Sequence, residues 1–309
     1  MFQHVPVLLE EVLGALNVRA GGTYVDATFG RGGHTAAILE RVGKEGRVIA
    51  IDRDPSAIAA GHERFAAENR LTLVSSPFSR LNEIAAELGL LGGIDGVLLD
   101  LGVSSPQLDD AARGFSFAQD GPLDMRMDFN SGMNAAQFIA RAPERELARV
   151  IREYGEERFA KRIARAIVAA RVQQPITTTG RLAEIVSAAV PTREPGKHPA
   201  TRTFQAVRIH INDEFAQIER ALNGALEVLA PGGRLCVVSF HSLEDGIVKR
   251  FMQKQSQDDP IYAGLPNIPA HARAKLVRVG KAIHPGEAEI ARNPRARSAI
   301  LRVAERVVA

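Results

Sequence analysis

The 309-residue sequence predicts an α/β protein with a Rossmann-like, seven-stranded sheet that carries an inserted helical domain. Three observations support this fold class. Residues 23–52 follow the order strand, glycine turn, helix and second strand. Two more strands follow up to residue 100, and the alternation of helices and strands then stops. It resumes only near residue 212, with a helix and three late strands.

Apolar runs and helix signals give the order of the elements. Strands are expected at 23–27, 48–52, 71–74, 94–100, 234–240, 275–279 and 299–304. Helices are expected at 5–16, 34–42, 55–68 and 82–90, and Asn212 is expected to cap one more that ends near residue 229. Residues 1–105 and 206–309 are therefore assigned to the α/β domain. Residues 106–205 are assigned to the helical insertion, in which residues 144–172 are strongly helical around Gly155.

The turn after the first strand predicts a nucleotide-type ligand. Gly30, Gly32 and Gly33 permit a tight turn and a close backbone approach, because glycine lacks a Cβ atom. A dinucleotide fingerprint would need a third glycine where this chain has Thr35. The Asp-x-x-x-Gly-x-Gly pattern that starts at Asp26 resembles instead the loop with which class I methyltransferases bind S-adenosylmethionine (SAM).

The residue types at the strand ends suit SAM. SAM has no phosphate, so the helix start after the glycine turn need only receive the methionine carboxylate. Asp26, which ends the first strand, can face the ammonium group. Asp52, which ends the second strand, can accept both ribose hydroxyls, although the NAD fold uses an acid there too. A dinucleotide oxidoreductase is disfavoured by Thr35 and Asp26.

Composition narrows the class of protein further. The net charge is only +3, but residues 247–309 hold 12 Lys/Arg against 5 Asp/Glu, which is compatible with a polyanionic partner. The single cysteine, Cys236, lies in an apolar run, so it is expected in the core and cannot form a disulfide within one chain. No metal-binding spacing, membrane-length apolar run or signal peptide is found. We therefore expect no metal, no membrane and a cytoplasmic protein.

Several long motifs then resemble one family. They include Thr-Phe-Gly-Arg-Gly-Gly-His at 28–34 and Leu-Leu-Asp-Leu-Gly-Val-Ser-Ser-Pro-Gln-Leu-Asp-Asp at 98–110. Others stand at 113–117, 121–128, 154–159, 198–208, 239–245 and 293–298. These stretches resemble the ribosomal small-subunit methyltransferase H family, also called MraW, over nearly the whole chain. The stretch from 255 to 291 is the least motif-like.

The resemblance implies a class I SAM-dependent methyltransferase that methylates cytosine N4 in 16S rRNA. It implies SAM as cofactor and, as partner, 16S rRNA in an assembled small subunit, with a cytidine of the decoding centre as target. The positions that match the family's SAM-binding residues are Gly32, Gly33, His34, Asp52, Phe78, Asp100 and Gln107.

The reaction needs an acceptor beside the target amine. An exocyclic cytosine amine is a poor nucleophile, and acceptors that hold its N–H groups can aim the nitrogen at the methyl group. Many amino-methyltransferases use an Asp/Asn/Ser-Pro-Pro-aromatic tetrapeptide, which this chain lacks. Asp100 is the predicted catalytic residue, with Ser104, Ser105 or a backbone carbonyl as alternatives. A carbon-5 methyltransferase is disfavoured because Cys236 lies inside a strand.

Other readings remain open on the sequence alone. The chain could be a SAM-binding RNA protein without catalysis, or a small-molecule methyltransferase, which the basic C-terminal region disfavours. Oligomeric state and the need for an assembled subunit stay open. Structural roles are equally plausible for several motif residues, namely Phe78, Phe115, Phe117, Arg202, Arg208, His241, Glu244, Arg295 and Arg297.

Overall fold

The computed structural model describes residues 6–192, 196, 198–262 and 267–307. The chain divides into two compact units. The first, called the α/β unit below, comprises Met1–Gly102 and Phe215–Ala309. The second, called the insert, comprises Val103–Glu214, and so extends further at its C-terminal side than the predicted bounds of 106–205.

The described residues of the α/β unit hold one seven-stranded sheet. Its strands are β1 (Thr23–Asp26), β2 (Arg47–Asp52), β3 (Leu71–Ser75), β4 (Ile94–Asp100), β5 (Leu229–Ser239), β6 (Leu276–Arg278) and β7 (Ile300–Arg306). The strand order is β3-β2-β1-β4-β5-β7-β6. Strands β1 to β5 pair in parallel, whereas β7 runs antiparallel to both β5 and β6. The predicted Rossmann-like, seven-stranded fold is confirmed.

Thirteen α-helices are found in the described part of the chain. They are α1 (Leu9–Ala15), α2 (Gly33–Val42), α3 (Pro55–Arg64), α4 (Leu81–Glu87), α5 (Ser105–Asp109), α6 (Ala135–Arg141), α7 (Glu144–Gly155), α8 (Ala160–Gln173), α9 (Thr179–Ala189), α10 (Thr201–Asn212), α11 (Glu214–Val228), α12 (Ser242–Gln255) and α13 (Glu287–Arg292). Helices α5 to α10 belong to the insert. None of the helices described is both long and apolar enough to cross a membrane.

The central strands of the sheet are buried on both faces, and their side chains alternate between two cores. Val97 and Leu99 of β4 join one cluster, whereas Leu98 joins the other. Because successive side chains of a strand point to opposite faces, this division follows from the period of two. Cys236 of β5 is fully buried in the second cluster, and burial raises the pKa of its thiol.

The insert has its own hydrophobic core, to which both of its motif phenylalanines belong. Phe115 is buried, and the Phe117 ring lies 4.7 Å from that of Phe204. The predicted helical stretch 144–172 is two helices, α7 and α8, which separate after Gly155. A Cβ atom on Gly155 would lie 2.5 Å from the carbonyl oxygen of Arg202, so only glycine permits this approach of α10.

Asn212 does not cap a helix as predicted. It is the last residue of α10, and Asp213 follows in the left-handed region with φ 51° before α11 begins. The buried Asn212 side chain accepts a hydrogen bond from Met127 N (2.8 Å) and donates one to Met125 O (2.8 Å). Its amide is held by the loop at 121–128 of the insert, because a buried polar side chain needs such partners.

Candidate active site

The candidate site lies at one edge of the sheet. Because β1 to β5 are parallel, their carboxyl ends meet there. The three acids predicted from the sequence, Asp26, Asp52 and Asp100, are the last residues of β1, β2 and β4. Open α/β sheets bind their ligands at this edge.

The glycine turn connects β1 to α2. Gly30 and Gly32 have φ values of 54° and 69°, which favour glycine. A Cβ atom on Gly32 would lie 2.6 Å from the ring of Phe29, and one on Gly33 would lie 2.3 Å from the ring of Pro6. The protein's own packing therefore already requires glycine at 32 and 33. A close approach of a ligand to this backbone stays a prediction.

Asp26 holds this turn in place. Its side chain is 1% exposed, and its carboxylate accepts hydrogen bonds from the Thr35 hydroxyl (2.7 Å) and from Thr28 N (3.2 Å). Burial raises the pKa of Asp26, although the nearby His34 and the Thr35 bond act in the opposite direction. The carboxylate thus links the end of β1 to the first turn of α2. Its predicted role facing the SAM ammonium stays a prediction.

Asp52 is arranged in a similar way at the end of β2. One carboxylate oxygen accepts from Gly30 N (2.7 Å) and the other from Asp54 N (2.8 Å). Burial raises the pKa of Asp52 to about 6, and these two hydrogen bonds oppose the rise. Each carboxylate oxygen can accept two hydrogen bonds, so Asp52 keeps capacity for two hydroxyl donors. That capacity is what a ribose diol would need.

Of the three acids, Asp100 has the fewest hydrogen bonds to its carboxylate oxygens. Its backbone N–H donates to the Thr28 hydroxyl (2.7 Å), which fixes the end of β4 against the glycine turn. Its Oδ1 atom is buried and has no hydrogen-bond partner among the residues that the structure describes. Burial, followed by the charges of Asp26 and Glu244, raises the pKa of Asp100 to about 8.

His34 is the histidine that the structure places beside Asp100. The ring is 5% exposed, and its Nε2 lies 3.2 Å from the Val7 carbonyl oxygen, which can only accept. Nε2 therefore carries the hydrogen in this geometry. Nδ1 lies 3.7 Å from Asp100 Oδ2, a charge contact rather than a hydrogen bond. A protonated His34 would stabilise the Asp100 carboxylate, and a neutral ring would not.

The remaining predicted SAM-binding residues differ in their setting. Phe78 begins a 3₁₀ turn directly after β3, and its half-buried ring packs against the core cluster of the sheet. Gln107 lies in the insert, where its side-chain oxygen accepts from Ser104 N (3.0 Å) at the start of α5. Six of the seven residues therefore belong to the α/β unit, and Gln107 belongs to the other unit.

Glu244 contributes a negative charge to the site that the sequence did not predict. His241 caps the start of α12, and the fully buried Glu244 accepts from Phe240 N (2.9 Å). The structural reading of these two motif residues therefore holds, but Glu244 also raises the pKa of Asp100. The capping-box spacing could have located Glu244, whereas no spacing signal pointed to Thr28 or Thr35.

Arg208 is an ion-pair residue of the insert. Its guanidinium group donates to both carboxylate oxygens of the buried Glu214, at 2.8 and 2.9 Å. Such a bidentate pair fixes both side chains. In this structure Arg208 is thus held within the insert.

The charge of the site suits a cationic ligand. Asp26, Asp52, Asp100 and Glu244 bring four acids to or next to one sheet edge, and burial raises the pKa values of the first three. SAM carries a sulfonium and an ammonium group, which this field attracts. A pyrophosphate would be repelled. The buried Oδ1 atom of Asp100 also fits a donor such as an amine. No cluster of three or more potential metal ligands occurs in the described part of the chain.

The fold and the site define a class I SAM-dependent methyltransferase. The chain belongs to the MraW methylase family, whose model matches residues 1–307. The family indicated by the sequence motifs is thereby confirmed, and SAM is the cofactor.

Several solved structures show a weak similarity to this chain. One, described as a candidate rRNA methylase from Clostridium thermocellum, is 16% identical over 99% of this chain and 100% of that chain, with a TM-score of 0.46. An rRNA methylase from Streptococcus thermophilus is 11% identical over 100% and 99%, with a TM-score of 0.42. Aeropyrum pernix fibrillarin with bound SAM is 12% identical over 96% and 73%, with a TM-score of 0.41. The family match, not these similarities, identifies the chain.

Replacing Asp52 by alanine should weaken SAM binding. The variant loses a charged acceptor for the ribose hydroxyls, so affinity should fall by roughly 1.5–3 kcal/mol. Isothermal titration calorimetry with SAM measures this. Asp95→Ala is the control, because Asp95 is a carboxylate near the amino end of β4 that accepts from Thr23 N (2.8 Å). Unchanged SAM affinity in a folded Asp52→Ala variant would remove the assignment.

Asp100→Asn should stabilise the protein at neutral and alkaline pH. Between the ordinary carboxyl pKa near 4 and about 8, the folded state keeps the Asp100 proton while the unfolded state releases it. The stability of the wild type therefore falls as pH rises through this range and is constant, for this group, above it. Asparagine has no proton to release, so the stability of the variant does not fall in this way.

The expected gain at pH 9 is about 1–3 kcal/mol, a figure reduced because solvent screens a partly exposed side chain. That side chain is 24% exposed. Urea unfolding of Asp100→Asn, Asp95→Asn and the wild type at pH 5, 7 and 9 measures it. Only Asp100→Asn should become more stable relative to the wild type as pH rises. An Asp100→Asn variant that is less stable than the wild type at pH 9 would contradict the assignment of an uncompensated charge.

Proposed function

We propose that this protein methylates the N4 atom of a cytidine in 16S rRNA, at the decoding centre of the small ribosomal subunit. Membership of the MraW methylase family supports methyl transfer. The motif resemblance supports the rRNA substrate and the cytosine amine. The observation that carries the proposal is the buried Oδ1 atom of Asp100, an acceptor without a donor at the ligand-binding edge of the sheet.

Asp100 has the chemistry that an exocyclic amine requires. The lone pair of the cytosine amine is delocalised into the ring, so the nitrogen must be held and aimed before it attacks. Bound SAM supplies an electrophilic methyl group on its sulfonium sulfur. Asp100 Oδ1 accepts one N–H of the amine and so directs the nitrogen towards that methyl group, a contribution of positioning.

The same carboxylate can receive the proton that the methylated nitrogen loses. The pKa of about 8 belongs to the protein without a bound cation. The sulfonium and ammonium groups of SAM would lower it and so favour the carboxylate form that takes the proton. His34, at 3.7 Å, offers a second nitrogen through its Nδ1 atom. The Thr28 hydroxyl, which accepts from Asp100 N, fixes the backbone that carries the carboxylate.

Asp100→Asn should lose turnover far more than it loses SAM affinity. An amide keeps the shape of the side chain but cannot take a proton, so turnover should fall by about 10²–10⁴-fold. Nucleoside mass spectrometry of rRNA is the measurement, from cells that lack the protein and are supplied with either version. Asp95→Asn, on the same strand, is the matched control.

The outcomes separate the competing functions. Equal losses in SAM affinity and turnover would make Asp100 a cofactor ligand only. Wild-type turnover would place the acceptor elsewhere, with Ser104, Ser105 or a backbone carbonyl as candidates. Loss of the protein without loss of any methylated cytidine would favour a SAM-binding RNA protein that does not catalyse.

We assign selection of the RNA to the insert. Cytosine N4 is engaged by pairing in a duplex, so the target base must be unpaired or flipped into a pocket. Contacts to the flanking phosphates would hold the strand meanwhile. Helix α8 presents three exposed cations, Lys161, Arg162 and Arg165, of which only Arg165 lies within ion-pair distance of an acid, 3.9 Å from Glu144, among the described residues.

Replacing residues 103–214 by a short linker should spare SAM binding and abolish rRNA methylation. The reason is that the seven-stranded sheet and six of the seven predicted SAM-binding residues remain in the α/β unit. Calorimetry with SAM serves as the control for folding, and transfer of a labelled methyl group to small subunits is the readout. A linker variant that still methylates the same cytidine would place recognition in the α/β unit.

A further inference from the structure

The α/β unit contains a cavity of about 240 Å³ that the proposed chemistry does not use. It is lined by α12, by the end of β6 with the turn that follows, and by β7. Its cationic residues are Lys249, Arg278, Lys281 and Arg302, and its apolar residues include Met252 and Val303. All of these belong to the α/β unit.

Three of the four cations have no acid to neutralise them. Arg302 donates two hydrogen bonds to Asp245, at 2.6 and 2.9 Å. Lys249, Arg278 and Lys281 are exposed, and no ion pair or side-chain hydrogen bond is found for them in the described residues. Like charges gathered around one cavity repel each other, and a bound anion relieves that repulsion.

The floor of the cavity is apolar. Met252 is 2% exposed and Val303 is 5% exposed. A cationic rim over an apolar floor suits a ligand that is anionic at one end and carries a ring or sugar at the other. A nucleotide unit of RNA has this shape, with its phosphate on the rim and its ribose or base on the floor. Free inorganic phosphate would use the rim alone.

The cavity lies on elements that also build the candidate site. The first turn of α12 contains Glu244, whose charge acts on Asp100, and Lys249 follows Asp245 by one helical turn. In the sheet, β6 stands three strand spacings from β4, about 15 Å at the usual separation. An RNA strand with its target base at Asp100 could reach the cavity within a few nucleotides.

We infer that this cavity, with the rim Lys249, Arg278 and Lys281, is a subsite for a backbone phosphate of the same RNA strand that carries the target base. The inference rests on the proposed function in that it takes RNA as the substrate. It adds a contact in the α/β unit to the recognition assigned to the insert. The contact fixes the strand without reading its sequence, as phosphate contacts do.

The test compares two charge-matched double variants. Arg278→Gln/Lys281→Gln removes two cations of the rim. Lys44→Gln/Arg47→Gln removes two exposed cations from the turn before β2 and from its first residue, and β2 is five strands away from β6 in the sheet order. Affinity for a labelled single-stranded RNA that contains the target cytidine is measured over a range of salt concentrations. SAM affinity reports folding.

The rim variant should bind the RNA more weakly at low salt. Its slope of log K against log salt should become shallower by about 0.7, because one phosphate contact to a single strand contributes about that much. The single variant Lys249→Gln, which removes one of the three rim cations, should make the slope shallower by less than this. The Lys44→Gln/Arg47→Gln control should keep the wild-type slope, and all variants should bind SAM as the wild type does.

Several outcomes overturn the inference. A wild-type slope in the rim variant does so, as does an equal change in both double variants, which would mean only a loss of general charge. Inorganic phosphate that binds at the rim without competing with the RNA would reduce the cavity to a free-phosphate site. Failure of the proposed function is distinguishable, since methylation would then be absent while the slope difference between the variants persisted.

Discussion

The burial of Asp100 between Asp26 and Glu244 is the physical constraint on which the site depends. Neither neighbour is a cation, so the ionised carboxylate is disfavoured and its pKa rises to about 8. The sheet brings this about, because its parallel strands end together and the neighbouring strands β1 and β4 both end on an acid. A donor that reaches Oδ1 would offset part of the free-energy cost of burying the carboxylate. The site therefore favours a ligand with N–H groups.

The rest of the edge is arranged around that constraint. Two threonine hydroxyls tie the glycine turn to the strands, one through Asp26 and one through the backbone of Asp100. Asp52 binds the turn from the other side through Gly30 N. The turn is therefore pre-organised before any ligand arrives, which reduces the entropy lost on binding. The cost of burying acids at this edge is balanced by a well-packed sheet beneath it.

Much of the α/β unit could be predicted because its signals are local. Short apolar strands that end on Asp26, Asp52 or Asp100 indicate both the sheet and its ligand edge, and the motifs at 28–34 and 98–110 lie at the ends of two of these strands. What the sequence could not predict depends on contacts between distant segments. The roles of Asn212 and Glu244 belong to this group, because each is set by backbone atoms or charges that only the fold brings near. The glycines at 32 and 33 were predicted for a ligand, but Phe29 and Pro6 already require them.

The lone thiol of the chain gives the protein a built-in reporter. Cys236 lies in the middle strand of the β4-β5-β7 ladder, fully buried, with its pKa raised by burial. Thiol reagents attack the thiolate of an accessible cysteine, so the native protein should resist them. Alkylation can then proceed only through molecules in which the centre of the sheet has opened. The rate of alkylation therefore reports how often the centre of the sheet opens. Assays of methyl transfer do not detect this opening, and the measurement needs no engineered label.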